Sequence, residues 1–192
     1  MRHLLLALPF VLLPGLAQAA QHHEHEHDDQ HASLGAHEHG AAELDVVLDG
    51  STLEIELRSP AMNLVGFEHA PSSEADKRKI VNARKQLEQP DTLFGLPAAA
   101  GCTLAETELE SPLFEDAAHD GEHEHDSDHN GQHSEIHAHY HYDCATPHAL
   151  HALDLQALFK AFPSTEKIQA QLIGPNGQRG AQLDPGQPRV EF

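Results

Sequence analysis

The segment His119–Cys144, HDGEHEHDSDHNGQHSEIHAHYHYDC, carries eight histidines and seven carboxylates. Neutral imidazole nitrogens beside carboxylate oxygens are the donor mixture that first-row divalent metals take, Zn2+ foremost. The segment reads as a metal-binding element whose candidate ligands are His119, His123, His125, His129, His133, His137, His139 and His141. The plain alternative is a solvated polar loop with no ligand role. The two halves of the segment differ. Up to Gln132 there is no apolar residue, and Gly121, Asn130 and Gly131 punctuate it, so residues 117–133 are expected to form a loop. From His133 the chain alternates. Ile136, Ala138, Tyr140 and Tyr142 take the even positions, and His133, Glu135, His137, His139, His141 and Asp143 the odd ones. That is the pattern of a strand with one buried face and one ligand face. Residues two apart on a strand stand roughly 6.5 Å apart, so two imidazoles of the odd face can reach one metal with bonds near ~2.0 Å. A helix would also align His125, His129, His133, His137 and His141, but Asn130 and Gly131 interrupt it and the tyrosines favour sheet.

A second histidine tract, residues 20–40, carries His22, His23, His25, His27, His31, His37 and His39. With Leu34 as its only large aliphatic and no aromatic, it is expected to lack order in the absence of metal. His23-Glu24 followed by His27 matches the zinc-protease HExxH pattern formally. That motif needs a helix set against a cleft, and alternating His and Glu produce it by accident. No other motif places a general base beside an open metal position, so an enzyme is not expected.

Residues 1–19 have Arg2, an apolar run from Leu4 to Leu13 and Ala17-Gln18-Ala19, the signature of a secretory signal peptide. Its apolar run is too short to span a bilayer, and no later segment is long and apolar enough either. The formal charge is −20 with histidines neutral. Such a surface repels nucleic acid and anionic lipid and attracts cations, which leaves a divalent metal ion as the primary partner. In an oxidising compartment Cys102 and Cys144 are better read as one disulfide than as a thiolate site. Closing that loop is worth roughly 4 kcal/mol on chain-entropy arithmetic. The bridge is expected to pin both ends of the metal loop.

Positioning falls to the rest of the chain, expected to be one domain over residues 41–192. Leu44, Val46 and Leu48, then Asp49-Gly50, then Leu53, Ile55 and Leu57 predict a β-hairpin. Ser59 to Pro71 reads as an irregular connector with His69. Ser73 opens a helix to about Glu88, with Ile80, Ala83 and Leu87 on its apolar side and five basic residues that form a solvated face or a dock. A strand follows near Cys102 to Leu109, and a helix near Asp154 to Ala161. Lys167–Ile173 and Gln178–Leu183 form a second hairpin around Gly174-Pro175-Asn176-Gly177. The class is α+β, an antiparallel sheet with two helices.

The blocks AHEHGAAELDVVLDG, SPAMNLVGFEHAP, LFGLP with CTL, HSEIHAHYHYDC, and LFKAFP before QAQLIGPNGQ together resemble the ZrgA family of periplasmic zinc-uptake proteins. The resemblance runs from about Ala36 to the C-terminus. It implies capture of Zn2+ in the periplasm of a Gram-negative bacterium for an ABC-type uptake system, with transporter components as partners. His37, His39, His69 and His133 match family positions, as do Cys102 and Cys144. His137, His139 and His141 are additional histidines whose role rests on the strand pattern. The competing reading is a passive buffer or store for zinc, nickel or copper. The tighter site is expected on the odd face of the strand, because a fixed strand has less freedom to lose than a loose tract. Either His37 and His39 or His148 and His151 complete its coordination, and spacing does not choose between the pairs.

Overall fold

The computed structural model describes residues 38–116 and 134–192. Residues 1–37 and 117–133, on which the expected signal peptide, most of the first tract, the expected loop and His37, His119, His123, His125, His129 and His133 fall, lie outside the described residues.

The alternating stretch after His39 forms β1 (Ala41–Asp49), which turns at Gly50 into β2 (Thr52–Pro60). Gly50 has φ 58°, a left-handed conformation that a tight hairpin turn favours. Leu44, Val46, Leu48, Leu53, Ile55 and Leu57 all point to the core, as the period of two demands. The expected irregular connector is partly ordered: β2 runs through Pro60 and a short helix, α1 (Ala61–Val65), follows and stops at Gly66 with φ 84°.

Ser73 caps the next helix, α2 (Glu74–Leu87), its hydroxyl accepting the Asp76 amide at 3.1 Å. Ile80, Ala83 and Leu87 form its buried stripe. Three of its five basic residues have contacts: Lys77 pairs with Glu74 at 3.3 Å, Arg84 with Glu88 at 3.1 Å, and Lys79 sits over the Phe67 ring at 5.6 Å. This fits the solvated-face reading.

Then come β3 (Cys102–Glu110), α3 (Pro112–Asp116), β4 (Glu135–Cys144), β5 (Ala152–Asp154), α4 (Gln156–Ala161), β6 (Lys167–Gly174), β7 (Gly177–Leu183) and β8 (Arg189–Glu191). Six strands form one sheet in the order β3-β4-β2-β1-β6-β7, and β5 pairs with β8 apart from it. The class is α+β, with four α-helices among the described residues. The sheet is mixed, because β1 and β6 run parallel while the other pairs are antiparallel. A parallel pair requires a long crossover, and the chain between these two strands supplies it. The C-terminal helix starts at Gln156, two residues later than expected, since Ala152–Asp154 is drawn into β5.

One face of the sheet is the core. Tyr140 and Tyr142 are fully buried there, and the Tyr140 hydroxyl donates to the Leu87 carbonyl at 2.9 Å, tying β4 to the end of α2. Burial raises both phenols above their ordinary range, and the nearby Asp91 carboxylate adds to this at Tyr142. Cys102 and Cys144 are bridged and face each other in register. The bridge closes the end of the β3–β4 pair remote from residues 117–133, so it staples the paired strands rather than the ends of the loop.

Candidate metal centre

Two groups of ligand-type side chains are brought together. The first lies at the end of the sheet where β1 begins, β2 finishes and β4 starts. There His39 Nε2 meets Glu68 Oε1 at 3.1 Å, joining residues 29 apart in the chain. The contact is a hydrogen bond between an imidazole and a carboxylate, side chains of the two types that zinc takes as ligands. The Glu68 side chain is only 10% exposed and its imidazole partner 53%, so one ligand is anchored and the other is open to incoming ions.

The surrounding backbone explains the placement. Asn63, buried in α1, accepts the Gly40 amide at 2.7 Å and donates to the Ala41 carbonyl at 2.8 Å. These bonds fix the chain directly after His39. On the other side Ser134 donates its hydroxyl to the Glu68 carbonyl at 2.9 Å, and its carbonyl accepts the Ala61 amide at 2.9 Å. The position before Ser134 in sequence is His133, and the position two before His39 is His37. Next to Glu68, the ring of His69 stacks on Phe67 at 4.8 Å, and its Nδ1 lies 2.8 Å from the Ala70 carbonyl. A carbonyl only accepts, so Nδ1 carries the proton, and in the neutral ring Nε2 keeps a bare lone pair.

The second group is the odd face of β4, where the expected alternation holds from Glu135 to Asp143. Its histidines are half-buried, and each is in register with residues of two neighbouring strands. His137 faces Glu110 and Arg58, His139 faces Glu108 and Glu56, and His141 faces Glu106 and Glu54. The His137 imidazole lies 3.3 Å from the Glu135 carboxylate, and His141 lies 3.9 Å from Glu54.

The glutamates of β3 reach this face because of a bulge. Pairing passes from Leu104 opposite Tyr142 to Glu106 opposite His141, leaving Ala105 as an extra residue. An extra residue reverses which side chains point to which face, so Leu104 and Leu109 both face the core side and Glu106, Glu108 and Glu110 the histidine side. On β2 the acidic cluster already has a cation. Arg58 holds Asp45 at 2.8 Å, Glu56 at 2.9 Å and Glu43 at 3.0 Å. Those hydrogen bonds, led by Asp45, raise the guanidinium pKa further, against the opposing effect of burial.

Among the described residues, no three His, Cys, Asp or Glu side chains form a group that could hold a metal ion. His148 follows the disulfide in the turn Pro147–Ala149, and His151 bonds the Ala149 carbonyl through Nδ1 at 2.8 Å. Both lie past the Cys144 end of β4, a ten-residue strand roughly 30 Å long, and His39 lies at its other end. Of the two pairs left open by sequence spacing, His39 thus lies at one end of β4 and His148 and His151 beyond the other. Glu68 and the β3 glutamates are the ligand candidates that the sequence reading missed. Glu68 carried a signal in its adjacency to His69, and the β3 residues in the spacing of Leu104 and Leu109.

Among the described residues no helix is long and apolar enough to cross a membrane. No curated protein matches the chain. A family model, described as the ZrgA family zinc uptake protein, matches residues 36–192.

Proposed function

Because the chain belongs to the ZrgA family of zinc uptake proteins, we propose that it captures Zn2+ in the periplasm and hands it to an ABC-type zinc importer. The family is one of uptake proteins rather than of enzymes. The observation that supports this reading is the His39–Glu68 hydrogen bond, two side chains of metal-ligand type from distant parts of the chain, flanked by the buried Asn63–Gly40 bond and the part-buried Ser134–Glu68 bond. His69, next to Glu68 in the chain, and His37 and His133, the nearest histidines in sequence to His39 and Ser134, are the candidates for further ligands. The disulfide agrees with an oxidising compartment, and residues 1–19 with export. The histidine tracts at 20–40 and 117–133 supply exchangeable zinc to the fixed site.

The test is calorimetric titration of the mature protein with Zn2+. His39→Ala and Glu68→Gln are each expected to weaken the tightest binding step by tenfold or more. Unchanged affinity in both variants would remove the site. Capture for uptake differs from passive buffering in cells: deleting the gene is expected to slow zinc accumulation under zinc limitation, and an unaltered uptake rate would favour buffering.

A further inference from the structure

We infer that β7 is a self-association edge, at which two copies of this chain join their sheets by antiparallel pairing of β7 with β7. Among the described residues β7 closes one side of the six-stranded sheet and β3 the other. A free strand edge recruits further strands unless something blunts it, and the usual devices are charges, prolines and bulges. The β3 edge has two of these, the bulge at Ala105 and the carboxylates of Glu106, Glu108 and Glu110. β7 has neither bulge nor proline. Its seven residues keep an unbroken register with β6, and Arg179 is its one charge.

Charge and symmetry select a second copy as the occupant. With a formal charge of −20, two copies repel one another over most of their surface. Among the described strands, β6 and β7 alone carry no acidic residue, so this edge is where a like-charged copy approaches with least repulsion. A two-fold axis through Gly180 overlaps the whole strand. Gly177 then faces Leu183 of the second copy, Gln178 faces its Gln182, and Arg179 faces its Ala181. An axis through Arg179 would set two guanidiniums directly opposite each other, which disfavours that register. Gln178 and Gln182 are exposed on the face of the sheet away from the core, where Gln169 donates to Gln182 at 3.0 Å and Gln178 to Gln171 at 3.4 Å. Each side-chain amide has both donors and an acceptor, so Gln178 against Gln182 joins the glutamine rows of the two copies. Ile173, 48% exposed, stands across from Gln178 and ends that row.

The experiment is analytical ultracentrifugation of the mature protein in the presence of a chelator, so that no metal bridges the histidines of two copies. A single strand pair is small beside the interface of a permanent dimer, so a monomer–dimer equilibrium is expected between micromolar and millimolar protein. Gln178→Glu/Gln182→Glu sets carboxylate against carboxylate on both sides of the axis and is expected to weaken dimerisation tenfold or more. Gln178→Lys/Gln182→Glu sets lysine against glutamate at the same positions and is expected to restore it. That restoration separates a lost interface from a lost fold, because both variants alter the same two exposed side chains. The inference is overturned if the protein is monomeric at every concentration, if the first variant dimerises as strongly as the native chain, or if the lysine–glutamate variant fails to recover the dimer.

Discussion

Asn63 accepts the backbone amide of Gly40 at 2.7 Å from a side chain that is 2% exposed, and its own amide donates to Ala41 and Ser59. One buried side chain thus fixes the residues that follow His39. Asn63→Ala would strand a buried N–H, and losses of that kind cost roughly 2 to 3 kcal/mol. We expect that loss in chemical denaturation, together with weaker zinc binding that Asn63→Ala shares with His39→Ala. A variant that is destabilised but binds zinc normally would show that Asn63 does not position the ligand.

Zinc and protons compete for the same imidazole nitrogens, and an imidazole in water titrates near ~6.5. Zinc affinity is therefore expected to fall as pH drops from about 6.5 to about 5, and binding above that range should release protons into the buffer. Calorimetry in buffers of different ionisation enthalpy reads both effects. An affinity that stays constant over this window would assign the metal to the carboxylates alone.

The disulfide and the strand-end pair sit at opposite ends of β4. Cys102→Ser/Cys144→Ser is expected to lower stability by roughly 3 to 4 kcal/mol, the chain-entropy value for a loop of this size. The tightest zinc-binding step should persist in that variant under conditions where it stays folded. Loss of tight zinc by a folded double-serine protein would mean that the cysteine end contributes to the site.

The odd–even pattern of β4 was legible in the sequence because four apolar and aromatic residues alternate with histidines, and Asn130 and Gly131 interrupt the helical spacing that competes with it. The strand β3 was legible as a strand but not in its facing. Leu104 and Leu109 are five positions apart, an odd separation that no regular strand can bury on one side. That mismatch is the trace of the bulge, and with it the β3 glutamates could have been assigned to the histidine face. The His39–Glu68 contact left no comparable local mark, since its partners meet only after the hairpin and α1 have folded. The strands β5 and β8, three residues each, are too short for periodicity to register. The parallel placement of β6 beside β1 depends on how the whole intervening chain packs.

That parallel pairing ties the beginning of the domain to its last third. The Gly40 carbonyl accepts the amides of both Glu166 and Lys167, and Lys167 reaches Glu38 at 2.8 Å. In a chain that crosses a membrane N-terminus first, the histidine at position 39 emerges early, yet its neighbours gain their final partners only when residues 166 and 167 have followed. Contacts this distant in sequence form slowly. The backbone beside His39 therefore reaches its finished geometry only once β6 has joined β1, so the last third of the chain completes the surroundings of the first.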